Sequence, residues 1–256
     1  MIENQLKRLA APNSFMDGIG LFLYKRTLSF KGNFVNIILK STKNRILWKC
    51  MQYNEFKDQF KDYIVFSLAN IQKSFPRFYR NRLNDWQKKG YIKKLRRGFY
   101  IFADTKMDEN VLFLIANRIY SPSYVSFESA LAHYGLIPEG VYTITSVSAA
   151  KTAKFKTPLA EFSYRGIKPS LMFGYQLGKY ENRNYKIAEI EKTVLDYLYL
   201  NPHIVREEDF FEWRFNAREF LEKADLAKMR QYCAEFKNRS FTKRCEKFLE
   251  LAKRNH

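Results

Sequence analysis

A chain of 256 residues that is 46% hydrophobic and 17% aromatic can bury a sizeable core in one or two domains, and is not a basic disordered tail. Its formal charge of +19 is unevenly spread: residues 1–50 hold nine basic and two acidic side chains, 51–102 twelve and four, 103–200 eleven and ten, and 201–256 thirteen and ten. The first hundred residues are thus suited to a polyanion, and the remainder is nearly neutral. Cys50, Cys233 and Cys245 are odd in number and lack metal spacing, which argues against a disulfide framework and for a reducing cytoplasm. The apolar runs are far too short to span a membrane, and the N-terminus lacks the features of a signal peptide, so no membrane partner is expected.

Residues 1–50 mix short apolar clusters at 21–24, 34–39 and 46–48 with Gly, Asn and Ser, and no period persists through them. Met51 then opens a clean helical pattern. Two readings stand. Either translation starts at Met51 and 1–50 is an over-extended reading frame, or 1–50 is a poorly packed extension that adds non-specific affinity for nucleic acid.

Residues 51–104 are predicted to form a winged helix-turn-helix DNA-binding domain. Phe56, Phe60 and Tyr63 mark a helix over 53–63, followed by a short strand at 64–66. Ser67 is placed to cap a helix over 68–73, with Ile71 inward. The reading helix is predicted from a Ser74 cap, with Pro76 in its first turn, to a stop at Gly90. Phe75, Tyr79, Leu83 and Trp86 would face the core. Arg77, Arg80, Asn81, Asn84 and Lys88 fall on one opposite stripe, and Arg and Asn are the side chains that pair with guanine and adenine edges. Lys93, Lys94, Arg96 and Arg97, followed by Gly98 and an apolar run to Phe102, suit a hairpin wing lying on phosphates. Ten basic residues and only one acid, Asp85, lie between Lys73 and Arg97. One such unit reads a few base pairs, so two copies on double-stranded DNA are expected.

After a polar linker at 104–108, residues 108–256 are predicted to form an α+β domain with a small, mostly antiparallel sheet and C-terminal helices. Val111, Leu112, Ile115 and Ile119 mark a helix stopped by Ser121-Pro122. Ser126 is placed to cap a short helix with Phe127, Ala130, Leu131 and Tyr134 on one face. Strands are predicted at 142–149, 159–165, 171–177 and 185–187, with Lys151, Lys154 and Lys156 in a loop ending at Pro158. A helix over 189–200 carries Ile190, Val194, Tyr197 and Leu198 on one side. From Glu207 the chain reads as helical. Its Phe210, Phe211, Trp213 and Phe215 form an aromatic cluster, and the Met229/Cys233 and Cys245/Phe248 stripes read as core.

Little points to catalysis. His133, His203 and His256 do not cluster, and no Gly-rich phosphate loop is present, so neither a metal nor a cofactor is expected. Ser129 and His133 sit four apart on one helix, but no acidic orienter is evident for them. Glu189, Glu191, Lys192 and Asp196 superficially fit a nuclease, yet Lys192 can pair with Glu189 or Asp196 along the helix. The rival functions are therefore a nucleic-acid-processing enzyme delivered by the winged domain, and a non-catalytic protein-interaction module using Lys151 to Lys156 or the C-terminal helices.

Three stretches carry a family resemblance: RRGFYIF at 96–102, YVSFESALAHYGLIPE at 124–139 and AEIEKTVLDYLYL at 188–200. Through them the chain resembles the AbiEi antitoxins, transcriptional-regulator partners of nucleotidyltransferase-type toxins in phage-defence toxin–antitoxin systems. The likeness covers about residues 55–200, and Ile190 stands where a proline is common. It implies an N-terminal winged domain that represses its own operon by binding inverted repeats in the promoter. It also implies a C-terminal domain that opposes the toxin without a stable complex.

Overall fold

The computed structural model describes residues 52–138 and 140–254; the readings made for residues 1–50 lie outside that part. The first elements are α1 (Tyr53–Phe60), β1 (Val65–Ser67), α2 (Leu68–Ser74), α3 (Asn81–Lys88), β2 (Ile92–Arg96) and β3 (Phe99–Phe102). Phe56 and Phe60 fall one turn apart on α1 and stack at 4.7 Å, both buried. α2 starts at a reciprocal cap: the Asn70 N–H donates to Ser67 Oγ at 3.1 Å, and the Ser67 N–H to Asn70 Oδ1 at 2.9 Å. The strands form an antiparallel sheet in the order β1-β3-β2.

The expected start of the reading helix at Ser74 is corrected. Ser74 is the last residue of α2, and α3 begins only at Asn81. Phe75 adopts φ −134°, ψ 82°, outside the helical region that a following proline disfavours. Ser-Phe-Pro is therefore a helix stop, with Pro76 just past the C-cap where proline is common. Helical phase is lost across 75–80, so Tyr79, expected to face the core, is 64% exposed, while Phe78 is buried.

The chain continues through α4 (Glu109–Ile119), β4 (Ser123–Val125), α5 (Phe127–His133), β5 (Thr143–Ser148), β6 (Ala153–Lys156), β7 (Glu161–Gly166), β8 (Tyr175–Tyr180), β9 (Arg183–Ala188) and α6 (Ile190–Leu200). The C-terminal helices are α7 (Glu207–Glu212), α8 (Ala217–Lys223), α9 (Leu226–Glu235) and α10 (Arg239–Arg254). Strands β4 to β9 form one six-stranded sheet in the order β6-β7-β5-β4-β9-β8. Its β7–β5 and β4–β9 pairings are parallel, and the other three are antiparallel. Two strand expectations are corrected. Lys154 and Lys156 lie in a strand, because Ala-Lys-Phe-Lys alternates and places Phe155 opposite Phe162. The strand expected at 171–177 occupies Tyr175–Tyr180, and Pro169–Leu171 is a 3₁₀ turn.

The two faces of this sheet are distinct. Val125, Ile144, Phe162, Tyr164, Tyr185 and Ile187 pack with α4. Tyr124, Val147 and Ala188 pack with α6 and the C-terminal helices, where Phe220, Phe241 and Phe248 are buried. Val65, Leu95 and Ile101 of the small sheet join the α4 cluster. The α4 cluster thus runs past the expected linker at 104–108, and Tyr53–His256 cluster as one unit of mixed α+β architecture. Among the described residues no helix is long and apolar enough to cross a membrane.

Candidate nucleic-acid interface

α3 buries Leu83 and Trp86, the latter 4.7 Å from Phe56 between ring centroids, and so presents Asn81, Asn84 and Lys88 to solvent. Asp85 shares that exposed side. Arg77 and Arg80 are exposed on the turn leading into α3 rather than on the helix. Asn81 Nδ2 donates to the Tyr79 hydroxyl at 3.0 Å. Burial raises the Tyr100 phenol above its ordinary pKa, and the Arg80 charge pulls it back.

The hairpin that follows owes its charge display to one irregularity. Lys94 pairs with Tyr100 and Arg96 with Phe99, so Leu95 is an extra residue in β2. Lys93 and Lys94 are therefore both exposed between buried Ile92 and Leu95, where strict alternation would have turned one of them inward. Gly98 closes the turn at φ +84°, a conformation that L side chains rarely adopt. Among the described residues, Arg77, Arg80, Lys88, Lys93, Lys94 and Arg97 form no ion pair.

Arg96 is placed differently from the free wing cation expected of it. Its Nη1 donates to the Ile119 carbonyl at 2.6 Å, and its guanidinium lies 4.4 Å from the Phe155 ring centroid and 5.7 Å from Phe99. It joins the hairpin to α4 and β6. On the opposite side Arg183 of β9 donates from Nε to the Asp62 carbonyl at 2.8 Å. No local sequence signal marks either contact, because both partners lie far away along the chain.

The residues weighed for catalysis are now placed. Lys192 and Asp196 are fully buried and paired. The Tyr124 hydroxyl accepts from Lys192 Nζ at 2.9 Å and donates to Asp196 Oδ2 at 2.9 Å, and Ser126 Oγ donates to the same oxygen at 3.0 Å. Burial pushes the Asp196 carboxyl above its ordinary pKa while the Lys192 charge and these donors pull it down. Ser126 holds the N-cap position of α5, but its hydroxyl serves Asp196 instead of the helix. Glu189 accepts from the Tyr232 hydroxyl at 2.7 Å, and Glu191 from the Asp225 N–H at 2.9 Å. His133 does have an acidic neighbour, contrary to expectation: its Nδ1 lies 2.8 Å from Glu109 Oε2. The Ser129 hydroxyl, however, bonds to the Thr143 carbonyl at 3.3 Å and the Thr145 N–H at 2.8 Å. No group of three or more His, Cys, Asp or Glu side chains among the described residues could hold a metal ion.

No protein-family model matches the chain, and a search of curated proteins returns no match.

Proposed function

We propose that the protein is a sequence-specific DNA-binding regulator whose residues 53–102 act as a winged helix-turn-helix. The observation that carries this reading is the run of exposed cations without ion-pair partners on the α3 turn and the β2–β3 hairpin, next to Asn81 and Asn84. The element order, helix–strand–helix–helix–hairpin with β1 closing the sheet on β3, supports this reading. In this reading Asn81, Asn84 and Lys88 enter the major groove with Arg77 and Arg80 beside them, and Lys93, Lys94 and Arg97 lie on phosphates.

The particular role rests on the AbiEi resemblance: a repressor of its own toxin–antitoxin operon, binding promoter inverted repeats as a pair of copies. The C-terminal part would counter a nucleotidyltransferase-type toxin, with no stable complex assumed. The nuclease-like alternative would need Lys192 and Asp196 at a substrate, and both are closed to solvent.

Gel shifts on the chain's own promoter test the DNA reading. Arg80→Ala and Asn81→Ala should each cost about 1–3 kcal/mol on the operator and relax sequence preference. Arg97→Ala and Lys93→Ala should weaken all DNA alike and flatten the salt dependence by roughly one unit of slope each. Unchanged operator affinity across these variants would sink the assignment.

A further inference from the structure

We propose that the open edge of the six-stranded sheet carries a binding site for a small molecule that joins an anionic head, phosphate or carboxylate, to a planar ring. A cleft of about 710 Å³ lies over β6, β7 and β5, on the face turned away from α4. That volume is within the ordinary range for small-ligand sites.

Strand register sets the chemistry of the cleft. Lys154 of β6, Ser163 of β7 and Thr145 of β5 are cross-strand neighbours in one row, and all three line it. Arg165 follows two residues along β7 on the same face, with Thr152 also in the lining. The Arg165 guanidinium lies 5.2 Å from the Phe127 ring centroid, and its Nη1 is buried with no hydrogen-bond partner. A second buried donor without a partner, Trp213 Nε1, belongs to a residue of the same cleft. Trp213 stacks on Tyr197 with centroids 4.4 Å apart and planes 7° apart, which gives the cleft a flat aromatic wall. Glu128, Glu161 and Glu212 also line it. Glu161 is four residues before Arg165 on β7, roughly 13 Å away along an extended strand.

The cleft is therefore polarised along β7. Its Arg165 end offers a guanidinium fork with one buried N–H that lacks an acceptor, an exposed ammonium and hydroxyls. A carboxylate or phosphate supplies the acceptor that the Arg165 guanidinium requires. The stacked indole and phenol suit a planar ring. Glu161, at the start of β7, would take an N–H or hydroxyl donor on that ring. None of this depends on the DNA reading.

Isothermal titration of the full chain with AMP, indole-3-acetate and inorganic phosphate tests the site. At least one of the two ring-bearing anions should bind with a Kd of about 1 mM or tighter, and at least about tenfold tighter than inorganic phosphate. A preference for AMP identifies a phosphate head, and a preference for indole-3-acetate a carboxylate head. Arg165→Gln and Lys154→Gln should each weaken binding about tenfold or more at unchanged thermal melting. Lys154 is exposed, so its variant keeps the test decisive if Arg165→Gln does not fold. The proposal is overturned if neither ring-bearing anion binds, if inorganic phosphate binds as tightly as they do, or if folded variants bind like the parent.

Discussion

Four polar side chains, Tyr124, Ser126, Lys192 and Asp196, close the space between β4 and α6 without any access to water. Two of the stretches singled out in the sequence meet here: Tyr124 and Ser126 come from one, Lys192 and Asp196 from the other. Their spacing encodes a buried tie between a strand and a helix rather than a solvent-facing pair. Removing one charge of such a pair strands the other in a medium that cannot solvate it. Lys192→Met should therefore cost about 3–5 kcal/mol in urea unfolding. Adding Asp196→Leu should recover more than half of that loss, because no uncompensated charge is left. A double variant no more stable than the single one would show that the hydroxyl network, not the charge pair, sets the cost. Phe127 follows Ser126 at φ +56°, a left-handed conformation costly for a bulky side chain, and the buried surroundings hold it there.

At the scale of elements, the Asp209 carboxylate ties down the turn that leads into α7. Asp209 accepts from the Val205 N–H at 3.0 Å and the Arg206 N–H at 2.8 Å, and these bonds lower its pKa to about 2. A folded value below the unfolded one stabilises fully above the ordinary carboxylate range, and the benefit is lost as pH falls toward the folded value. The melting-temperature advantage of the parent over Asp209→Asn should thus be constant near neutrality and shrink between about pH 4 and pH 2. A gap that does not narrow would remove Asp209 from that role. The helices themselves were largely legible in the sequence, because α4, α6, α9 and α10 carry apolar stripes at helical spacing and caps are written in short polar residues. The start of α3 was not. Phe75, Tyr79, Leu83 and Trp86 fit one helical period by coincidence, while the proline that breaks it also suits a helix start. β6 was hidden for a related reason: a four-residue strand with two lysines resembles a loop until Phe155 is seen to need the buried face. Of the nine side chains expected at the DNA interface, eight are exposed and only Arg96 is drawn into tertiary contacts, which pairing of distant segments decides and local pattern does not.

For the whole molecule, Arg96 is the test of how its parts are joined. Its bond to the Ile119 carbonyl and its stacking over Phe155 span three elements distant in sequence. Arg96→Ala should lower unfolding stability by about 1–3 kcal/mol, the range for a charged hydrogen bond with a cation–π contact. Arg97→Ala, one residue away and exposed, should leave stability within about 0.5 kcal/mol of the parent. Equal melting of the two variants would mean that the Arg96 contacts contribute nothing to the union of hairpin and sheet.

The hydrophobic cluster shared by Val65, Leu95 and Ile101 with α4 has a geometric outcome for the proposed operator. A reading head on a flexible tether could follow its half-site around the duplex. A head fused to the body through its core has a fixed bearing, so two copies bound side by side would act as a ruler. One added base pair between half-sites turns the second site by about 34–36° around the helix axis. The spacer length between promoter repeats would then be as tightly specified as the bases that α3 is proposed to read.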